Sequence, residues 1–290
     1  MSWLIVGAVP REDIPTVDSP CAIDDRTLRI GGYSITPARG TPALLAAACH
    51  AAHALGIEPP TALIAGDTGR GDGSARLYQA LLERLDRNVE PLMVFHYLQP
   101  DIDWHNRIFL KIEELEQKPI MVADAGWMYV AKMSGLAPSY DLFTPDIGEL
   151  AFLADEDAPH PFYTRGFLLQ DEEKAPELIE RAYAHENAAR NLLVKGRCDY
   201  IASSDGIIAE VCEPCVEAME PIGGTGDSLT GIVAALIHSG RSVPDAARIG
   251  ALANRMLGLI TNPTPASSIA ELLPYVGEAL AGSMDLHRHI

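Results

Sequence analysis

Short apolar runs alternate with longer runs of helical periodicity along almost the whole chain. The apolar runs predict strands buried on both faces, because a strand inside a parallel sheet has no polar side. They cover residues 3–6, 61–65, 91–98, 119–123, 140–143 and 191–194, with a shorter candidate at 24–30. This alternation predicts an α/β fold, a three-layer α/β/α sandwich with a mostly parallel central sheet. A chain of 290 residues can form one such domain, and we predict a single domain over residues 1–290.

Residues 221–231, PIGGTGDSLTG, form a glycine-rich stretch directly before an apolar helical run at 232–237. Glycine lets the backbone turn its amides toward one point, and N–H groups at a helix start bind anions. Asp227 lies at the same helix start. Amide donors for a phosphoryl charge beside a base for a proton would suit phosphoryl transfer to a hydroxyl. The alternative is an ordinary capped turn in which Asp227 satisfies backbone amides.

Several charged residues follow the predicted strands: Asp124, Asp146, Glu149 and Lys195. The carboxyl ends of parallel strands share one edge of a sheet, so we expect these side chains and Asp227 to lie close together. Asp124 and Glu149 could hold Mg²⁺ directly or through water, and Lys195 could meet a phosphate as a point charge. Each residue alone could also be a helix cap, a surface ion pair or a loop charge. Their joint occurrence with the glycine stretch favours a site.

Composition excludes some classes of partner. The formal charge of −18, from 40 acidic and 22 basic residues, argues against nucleic acid, which needs clustered cations. The start of the chain lacks the basic flank of a signal peptide, and no apolar run has the length of a membrane span. We therefore expect no membrane partner and a cytoplasmic protein. The five cysteines, including the C-x-x-C at Cys212 and Cys215, predict reduced thiols.

Two further segments have a local signature. Asp205-Gly206 between apolar runs at 200–203 and 207–211 predicts a β-hairpin. Residues 66–73, GDTGRGDG, follow a predicted strand, and they suit a ligand-binding loop and a surface turn equally well. Residues 155–173 are acidic and contain prolines, which is typical of a loop or a small insertion.

Together these residues resemble the ribokinase-like superfamily, and within it the ATP- or ADP-dependent NAD(P)H-hydrate dehydratases. Residues 224–232, GTGDSLTGI, are similar to that family's G-T-G-D-x-L-x-G-I. Lys195-Gly196 with the later Asp205-Gly206 resembles its K-G and P-D-G elements, and TPDIGE at 144–149 resembles its T-P-H-P-G-E. Asp124-Ala125 resembles the strand-end D-A, and the segment around Gly32 resembles a substrate-side G-G-S element. Asp146 departs from the family histidine, and Arg39 is foreign to the substrate-side segment.

The resemblance implies a ribokinase-like fold, ATP or ADP with Mg²⁺ at the strand ends, and a small-molecule substrate. It implies that Asp227 is the catalytic carboxylate and that Gly224, Thr225 and Gly226 form an anion hole. The remaining implied roles are nucleotide binding at Lys195, Gly196, Gly223 and Ser228, metal binding at Asp124 and Glu149, and substrate contact at Gly32 and Asp146.

The reaction that the resemblance implies is dehydration of hydrated NADH or NADPH, driven by nucleotide hydrolysis. Two alternatives stay open. One is a small-molecule kinase that transfers the ATP γ-phosphate to a sugar or a vitamin-precursor alcohol. The other is an inactive nucleotide-binding sensor, against which the intact Asp227 and the three glycines argue. Members of the superfamily often assemble, which leaves a homo-oligomer open.

Overall fold

The computed structural model describes residues 2–87, 89–158 and 174–287. Within them, eleven strands form one sheet in the order β11-β10-β9-β8-β7-β6-β1-β5-β2-β3-β4. The strands are β1 (Leu4–Val9), β2 (Val17–Asp24), β3 (Thr27–Ile30), β4 (Tyr33–Ile35), β5 (Thr61–Gly66), β6 (Leu92–His96), β7 (Ile120–Ala123), β8 (Leu142–Phe143), β9 (Asn191–Val194), β10 (Asp199–Ser203) and β11 (Gly206–Val211). Most of the predicted acidic segment, residues 159–173, lies outside the described residues.

The six central strands, from β5 through β1, β6, β7 and β8 to β9, pair in parallel. Antiparallel hairpins extend both edges: β10 and β11 on one side, and β2 to β4 on the other. The predicted mostly parallel sheet and the Asp205-Gly206 hairpin are therefore confirmed. The predicted strand at 24–30 is confirmed only in its second part, as β3 (Thr27–Ile30). Its start is wrong, because the chain turns at Asp25, whose φ is 55°, and Asp24 is the last residue of β2.

Helices cover both faces of the sheet. They are α1 (Thr41–Leu55), α2 (Asp72–Leu85), α3 (Ile102–Glu113), α4 (Gly126–Met133), α5 (Ile147–Ala154), α6 (Ala175–Ala184), α7 (Thr225–His238), α8 (Val243–Thr261), α9 (Ile269–Leu272) and α10 (Val276–His287). Side chains alternate between the faces of a strand. Ile5 of β1 belongs to the core under α1, α7, α8 and α10, whereas its neighbours Leu4 and Val6 belong to the core under α2 to α6. The three-layer α/β/α sandwich is confirmed.

Close packing of α1 on α7 gives a stability prediction. A Cβ at Gly231 of α7 would lie 2.3 Å from the carbonyl oxygen of Leu44 and 3.0 Å from the amide nitrogen of Ala48. Gly231→Ala must therefore push the helices apart, and we expect the free energy of unfolding to fall by about 1–3 kcal/mol. Urea unfolding measures this change, provided that the free energy of unfolding falls with urea concentration at the same slope in the variant and the wild type.

Gly277 of α10 provides the matched control. A Cβ there would meet only the Cβ of Ala54, at the ordinary contact distance of 3.4 Å. Alanine is the better helix former by about 1 kcal/mol, so Gly277→Ala is expected to leave stability unchanged or raised. Equal unfolding midpoints for the two variants would contradict the packing described here.

The cysteine prediction needs a correction. Cys198 and Cys212 form a disulfide with a Cα–Cα distance of 4.2 Å. They flank the β10–β11 hairpin, in which Asp199 pairs with Val211, so the antiparallel register brings the two cysteines together. Cys21, Cys49 and Cys215 are free thiols.

None of the described helices is both long and apolar enough to span a membrane. The single domain and the cytoplasmic location stay predictions.

Candidate active site

A cavity of about 1030 Å³ opens at the carboxyl edge of the central strands. Asp124 reaches it from the end of β7, Lys195 from the end of β9, and the glycine-rich stretch lies at the start of α7. The predicted site residues that line it are Asp124, Asp146, Glu149, Lys195, Gly196, Thr225, Gly226 and Asp227. The five charged residues that the strand-end argument placed together all line this cavity, and Gly196, Thr225 and Gly226 line it with them.

The glycine-rich stretch turns sharply at Gly224, whose φ is 98°. A Cβ at this position would lie 2.9 Å from Cγ2 of Ile269 and 3.3 Å from the carbonyl oxygen of Ala38, so the turn requires glycine. α7 begins at the next residue, and the N–H of Ser228 donates back to the Gly224 carbonyl at 2.8 Å.

The first amides of α7 are available to a ligand. In the described part of the chain, no hydrogen-bond acceptor pairs with the N–H groups of Thr225, Gly226 or Asp227, as expected for the first turn of a helix. All three residues line the cavity. The positive end of the α7 dipole adds to the attraction of these amides for an anion.

Asp227 lies beside these amides with 14% of its side chain exposed. Its Oδ2 accepts the N–H of Gly40 at 2.6 Å, and its Oδ1 lies 3.0 Å from Nε2 of His96. Burial raises the pKa of Asp227, but the hydrogen bond and charge of His96, the charge of Lys195 and the Gly40 N–H outweigh burial, so this pKa lies below its ordinary value. Asp227 is therefore an ionised carboxylate at the cavity wall.

Lys195 supplies a buried cation. Its Nζ lies 2.9 Å and 3.0 Å from the two carboxylate oxygens of Asp124, which is itself 2% exposed, and the hydroxyl of Thr230 donates to Oδ2 of Asp124 at 2.6 Å. Burial lowers the pKa of Lys195, but the charges of Asp124 and Glu149 raise it by more, so it stays protonated. The ammonium lies 3.6 Å from where a Gly226 Cβ would be, directly against the glycine turn.

Glu149 and Asp146 cap the start of α5 reciprocally. Oδ1 of Asp146 accepts the N–H of Glu149 at 2.8 Å, and Oε2 of Glu149 accepts the N–H of Asp146 at 2.9 Å. The hydroxyl of Tyr129 donates to Oε1 of Glu149 at 3.2 Å. Burial and the charge of Asp146 raise the pKa of Glu149 to about 8. Glu149, which we predicted as a metal ligand, therefore also caps the start of α5 with its side chain.

Four predicted residues lie outside the cavity lining: Gly224, which forms the turn itself, and Gly32, Gly223 and Ser228. Ser228 is buried, with its hydroxyl 2.8 Å from the Thr225 carbonyl and 2.8 Å from Oδ1 of Asn254, so it fastens the glycine turn to α8. Gly223 lies behind the turn, against the Arg39 side chain. Gly32 is exposed in the turn between β3 and β4. The segment that follows it does reach the site through Gly40.

Residues 66–73 form a loop that is held by hydrogen bonds to one of its own side chains, Asp67. Oδ1 of Asp67 accepts three backbone N–H groups, from Gly69, Arg70 and Gly71, at 2.9–3.1 Å. Oδ2 accepts the N–H and the hydroxyl of Ser74 at 2.8 and 2.9 Å. This carboxylate therefore closes the loop on itself, and none of these residues lines the cavity, which favours the surface-turn alternative.

Sequence reasoning missed two contributors to the site. His96 ends β6 and contacts Asp227, and the only sequence signal was a polar residue at the end of a buried strand. Arg255 lies in the middle of α8, where no pattern marks it. Its guanidinium binds Asp199 at 2.8 Å and donates to the carbonyls of Gly196 and Arg197, which fixes the strand end beside Lys195.

Solved structures share the fold of the chain. SMU.573 from Streptococcus mutans, described as a hypothetic protein, has a TM-score of 0.59 at 14% identity, covering 97% of this chain and 90% of that one. The pyridoxal kinase from Staphylococcus aureus in complex with pyridoxal has a TM-score of 0.54 at 12% identity, covering 88% and 86%. Phosphofructokinase-2 from Escherichia coli in complex with fructose-6-phosphate has a TM-score of 0.53 at 14% identity, covering 97% and 99%. These similarities establish a ribokinase-like fold.

No protein-family model matches the chain. Among curated proteins, the uncharacterized protein MJ1337 of Methanocaldococcus jannaschii is 42% identical over 220 residues, which cover 76% of this chain and 90% of the relative. Identity at this level over most of both chains establishes common family membership. The chain has a ribokinase-like fold and belongs to the family of MJ1337.

Proposed function

We propose that the cavity is the active site of a nucleotide- and Mg²⁺-dependent enzyme that handles a phosphoryl group of ATP or ADP. One observation carries the proposal. Three amides at the start of α7, which find no acceptor among the described residues, line the cavity beside an ionised Asp227, with the Lys195 ammonium next to them. Donors for a developing negative charge and a nearby proton acceptor are the two requirements of phosphoryl transfer to a hydroxyl.

Each group has a role in this chemistry. The amides of Thr225, Gly226 and Asp227 stabilise the negative charge of the phosphoryl group, and Lys195 adds a positive charge beside them. Asp227 accepts the proton of the attacking substrate hydroxyl, because its carboxylate is ionised and reaches the cavity. The rest of the nucleotide occupies the cavity beyond Gly196.

The site also fits a hydrated Mg²⁺, which would neutralise phosphate charge. Both oxygens of Asp124 already meet Lys195, which favours contact through water at that residue. Asp146 lines the cavity with carboxylate oxygens, the ligands Mg²⁺ prefers. Glu149 also lines it, but its raised pKa of about 8 means that it would offer such a ligand only where a bound cation favours its ionised form. Donor atoms of His96, Asp124 and Asp227 lie within 4.8 Å of one another, but Nε2 of His96 is engaged with Asp227 and is a poor candidate ligand.

Transfer of a phosphoryl group to a small alcohol is the reaction that this geometry supports best. A carboxylate held ionised beside an anion hole suits deprotonation of a hydroxyl. Two of the three structural neighbours named above agree with this choice, since they are a pyridoxal kinase and a phosphofructokinase. We therefore propose a small-molecule kinase acting on a hydroxymethyl group or a sugar alcohol.

Dehydration of hydrated NADH or NADPH is the second candidate. The observation that favours it is the match of residues 224–232 to the dehydratase motif. A hydroxyl that has received a phosphoryl group is a better leaving group, so the same amides and Asp227 could serve this reaction. Asp146, at the position of the family histidine, separates this chain from that motif.

Nucleotide binding is the first test. In Mg²⁺, ATP or ADP at about 100 times its dissociation constant should stabilise the protein by about 2.7 kcal/mol, because a ligand that binds only the folded state favours it. A thermal melt with and without nucleotide measures the shift. A melting temperature that neither ATP nor ADP raises above that of the protein alone would overturn the proposed function.

A turnover assay separates the candidates. The protein is incubated with ATP and with ADP against hydrated NADH and against a panel of hydroxymethyl compounds and sugar alcohols. We expect a phosphorylated alcohol by mass spectrometry. Recovery of NADH absorbance would instead select the dehydratase, and nucleotide binding without any product would select the sensor.

A further inference from the structure

His96 is a buried side chain to which the proposed chemistry assigns no role. It is 0% exposed and lies between two partners. Its Nδ1 is 3.0 Å from the hydroxyl oxygen of Thr41, and its Nε2 is 3.0 Å from Oδ1 of Asp227. The second oxygen of Asp227 accepts the N–H of Gly40 at 2.6 Å. One carboxylate is thus held at both oxygens by groups from β6 and the start of α1.

The proton positions follow from these contacts. An ionised carboxylate can only accept hydrogen bonds, so Nε2 of His96 carries the hydrogen that it donates to Asp227. The hydroxyl of Thr41 can donate to a neutral ring or accept from a protonated ring, since it can rotate. The bond from His96 to Asp227 is therefore kept in both protonation states of the imidazole.

The packing around Thr41 and His96 is close. A Cβ at Gly7 of β1 would lie 2.5 Å from the Thr41 hydroxyl oxygen and 2.5 Å from the carbonyl oxygen of His96. Both Thr41 and His96 are fully buried. The ring of Tyr97 packs edge-on against the imidazole, with centroids 4.4 Å apart at 87°. His96 thus has little freedom to leave Asp227.

We propose that His96, held by Thr41, is a positioning residue for Asp227. It fixes the plane of the carboxylate and stabilises its ionised form, so that Asp227 faces the substrate hydroxyl ready to accept its proton. The proposal rests on the proposed function of Asp227. A hydrogen bond to a charged group contributes enough that its loss should lower kcat about 10- to 100-fold.

The test compares variants at both ends of the contact. In the alcohol phosphorylation assay, His96→Ala should lower kcat by about 10- to 100-fold, with the dissociation constant of ATP unchanged within about twofold. His96→Gln, whose side-chain N–H can reach Asp227, should recover part of kcat. Thr41→Val should lower kcat, whereas Thr41→Ser should match the wild type. A His96→Ala variant with wild-type kcat, or one that loses kcat and ATP affinity together, would overturn the proposal.

An NMR measurement decides the contact without turnover. The Nε2–H proton of His96 should give a downfield signal that moves upfield or disappears in Asp227→Asn, because the charged acceptor is lost, and that shifts in Thr41→Val. If the wild type phosphorylates nothing in the panel, the proposed function fails separately, and this spectrum still decides the positioning contact. If the wild type lacks the signal, or if the signal is unchanged in Asp227→Asn, the proposed contact of His96 with Asp227 is contradicted. If His96→Ala does not fold, the Thr41 pair carries the same comparison.

Discussion

Asp227→Asn is expected to lower kcat by about 10²- to 10⁴-fold, the range for loss of a general base. Asparagine has the shape of aspartate but cannot accept the substrate proton. Its amide group also places a donor against either the Gly40 N–H or the His96 Nε2–H, both of which now donate to the carboxylate. The amides of the glycine turn are untouched, so the dissociation constant of the nucleotide should stay within about threefold, measured by calorimetry beside kcat.

Asp72→Asn is the matched control. Asp72 also lies in the first turn of a helix that follows a glycine-rich loop, but it is exposed and does not line the cavity. This variant should keep wild-type kcat. Wild-type kcat in Asp227→Asn would remove Asp227 from the reaction, and a matching loss in Asp72→Asn would show that the assay reports a general effect of charge.

Lys195→Met is expected to lower the free energy of unfolding by about 3–5 kcal/mol, the range for removing one partner of a buried ion pair. Asp124 is 2% exposed and makes contacts of 2.9 and 3.0 Å with the ammonium of Lys195. Without that cation, the hydroxyl of Thr230 and the N–H of Ala125 still donate to this carboxylate, and Nε2 of His96 lies farther away, 3.9 Å from Oδ2. Urea unfolding at neutral pH measures the loss, and ATP affinity should fall in the same variant.

A second substitution tests the cause. Asp124→Asn in the Lys195→Met background removes the stranded charge, so the double variant should be more stable than Lys195→Met alone. Lys118→Met is the control, because Lys118 pairs with Glu113 at the surface, with side chains 52% and 41% exposed, and such a pair contributes about 1 kcal/mol or less. Equal losses in Lys118→Met and Lys195→Met would contradict a buried pair at the site.

The central strands could be predicted because burial on both faces leaves an unbroken apolar run in the sequence. β1 and β5 are of this kind, with every residue buried. β2 could not be predicted: only one of its faces is covered, and it contains Pro20. The turn after it has no glycine, since Asp25 itself takes the left-handed conformation.

The residues of the candidate site also differ in whether the local sequence could predict them. Asp124, Lys195 and Asp227 were predictable because each follows a strand or starts a helix at a known edge of the fold. The contact of His96 with Asp227 joins residues 131 positions apart, and that of Arg255 with Asp199 joins residues 56 apart. No local pattern encodes such pairs. The Cys198–Cys212 disulfide likewise depends on the register of a hairpin.

The most direct test of the central claim is the response of the backbone amides of Thr225, Gly226 and Asp227 to nucleotide, followed by ¹⁵N NMR with a non-hydrolysable ATP analogue in Mg²⁺. We expect these three signals to shift together as the site saturates. The amides of Gly69, Arg70 and Gly71, which already donate to Asp67, should not move. Saturable binding of the analogue with the Thr225, Gly226 and Asp227 signals unchanged would contradict a phosphoryl site at the start of α7.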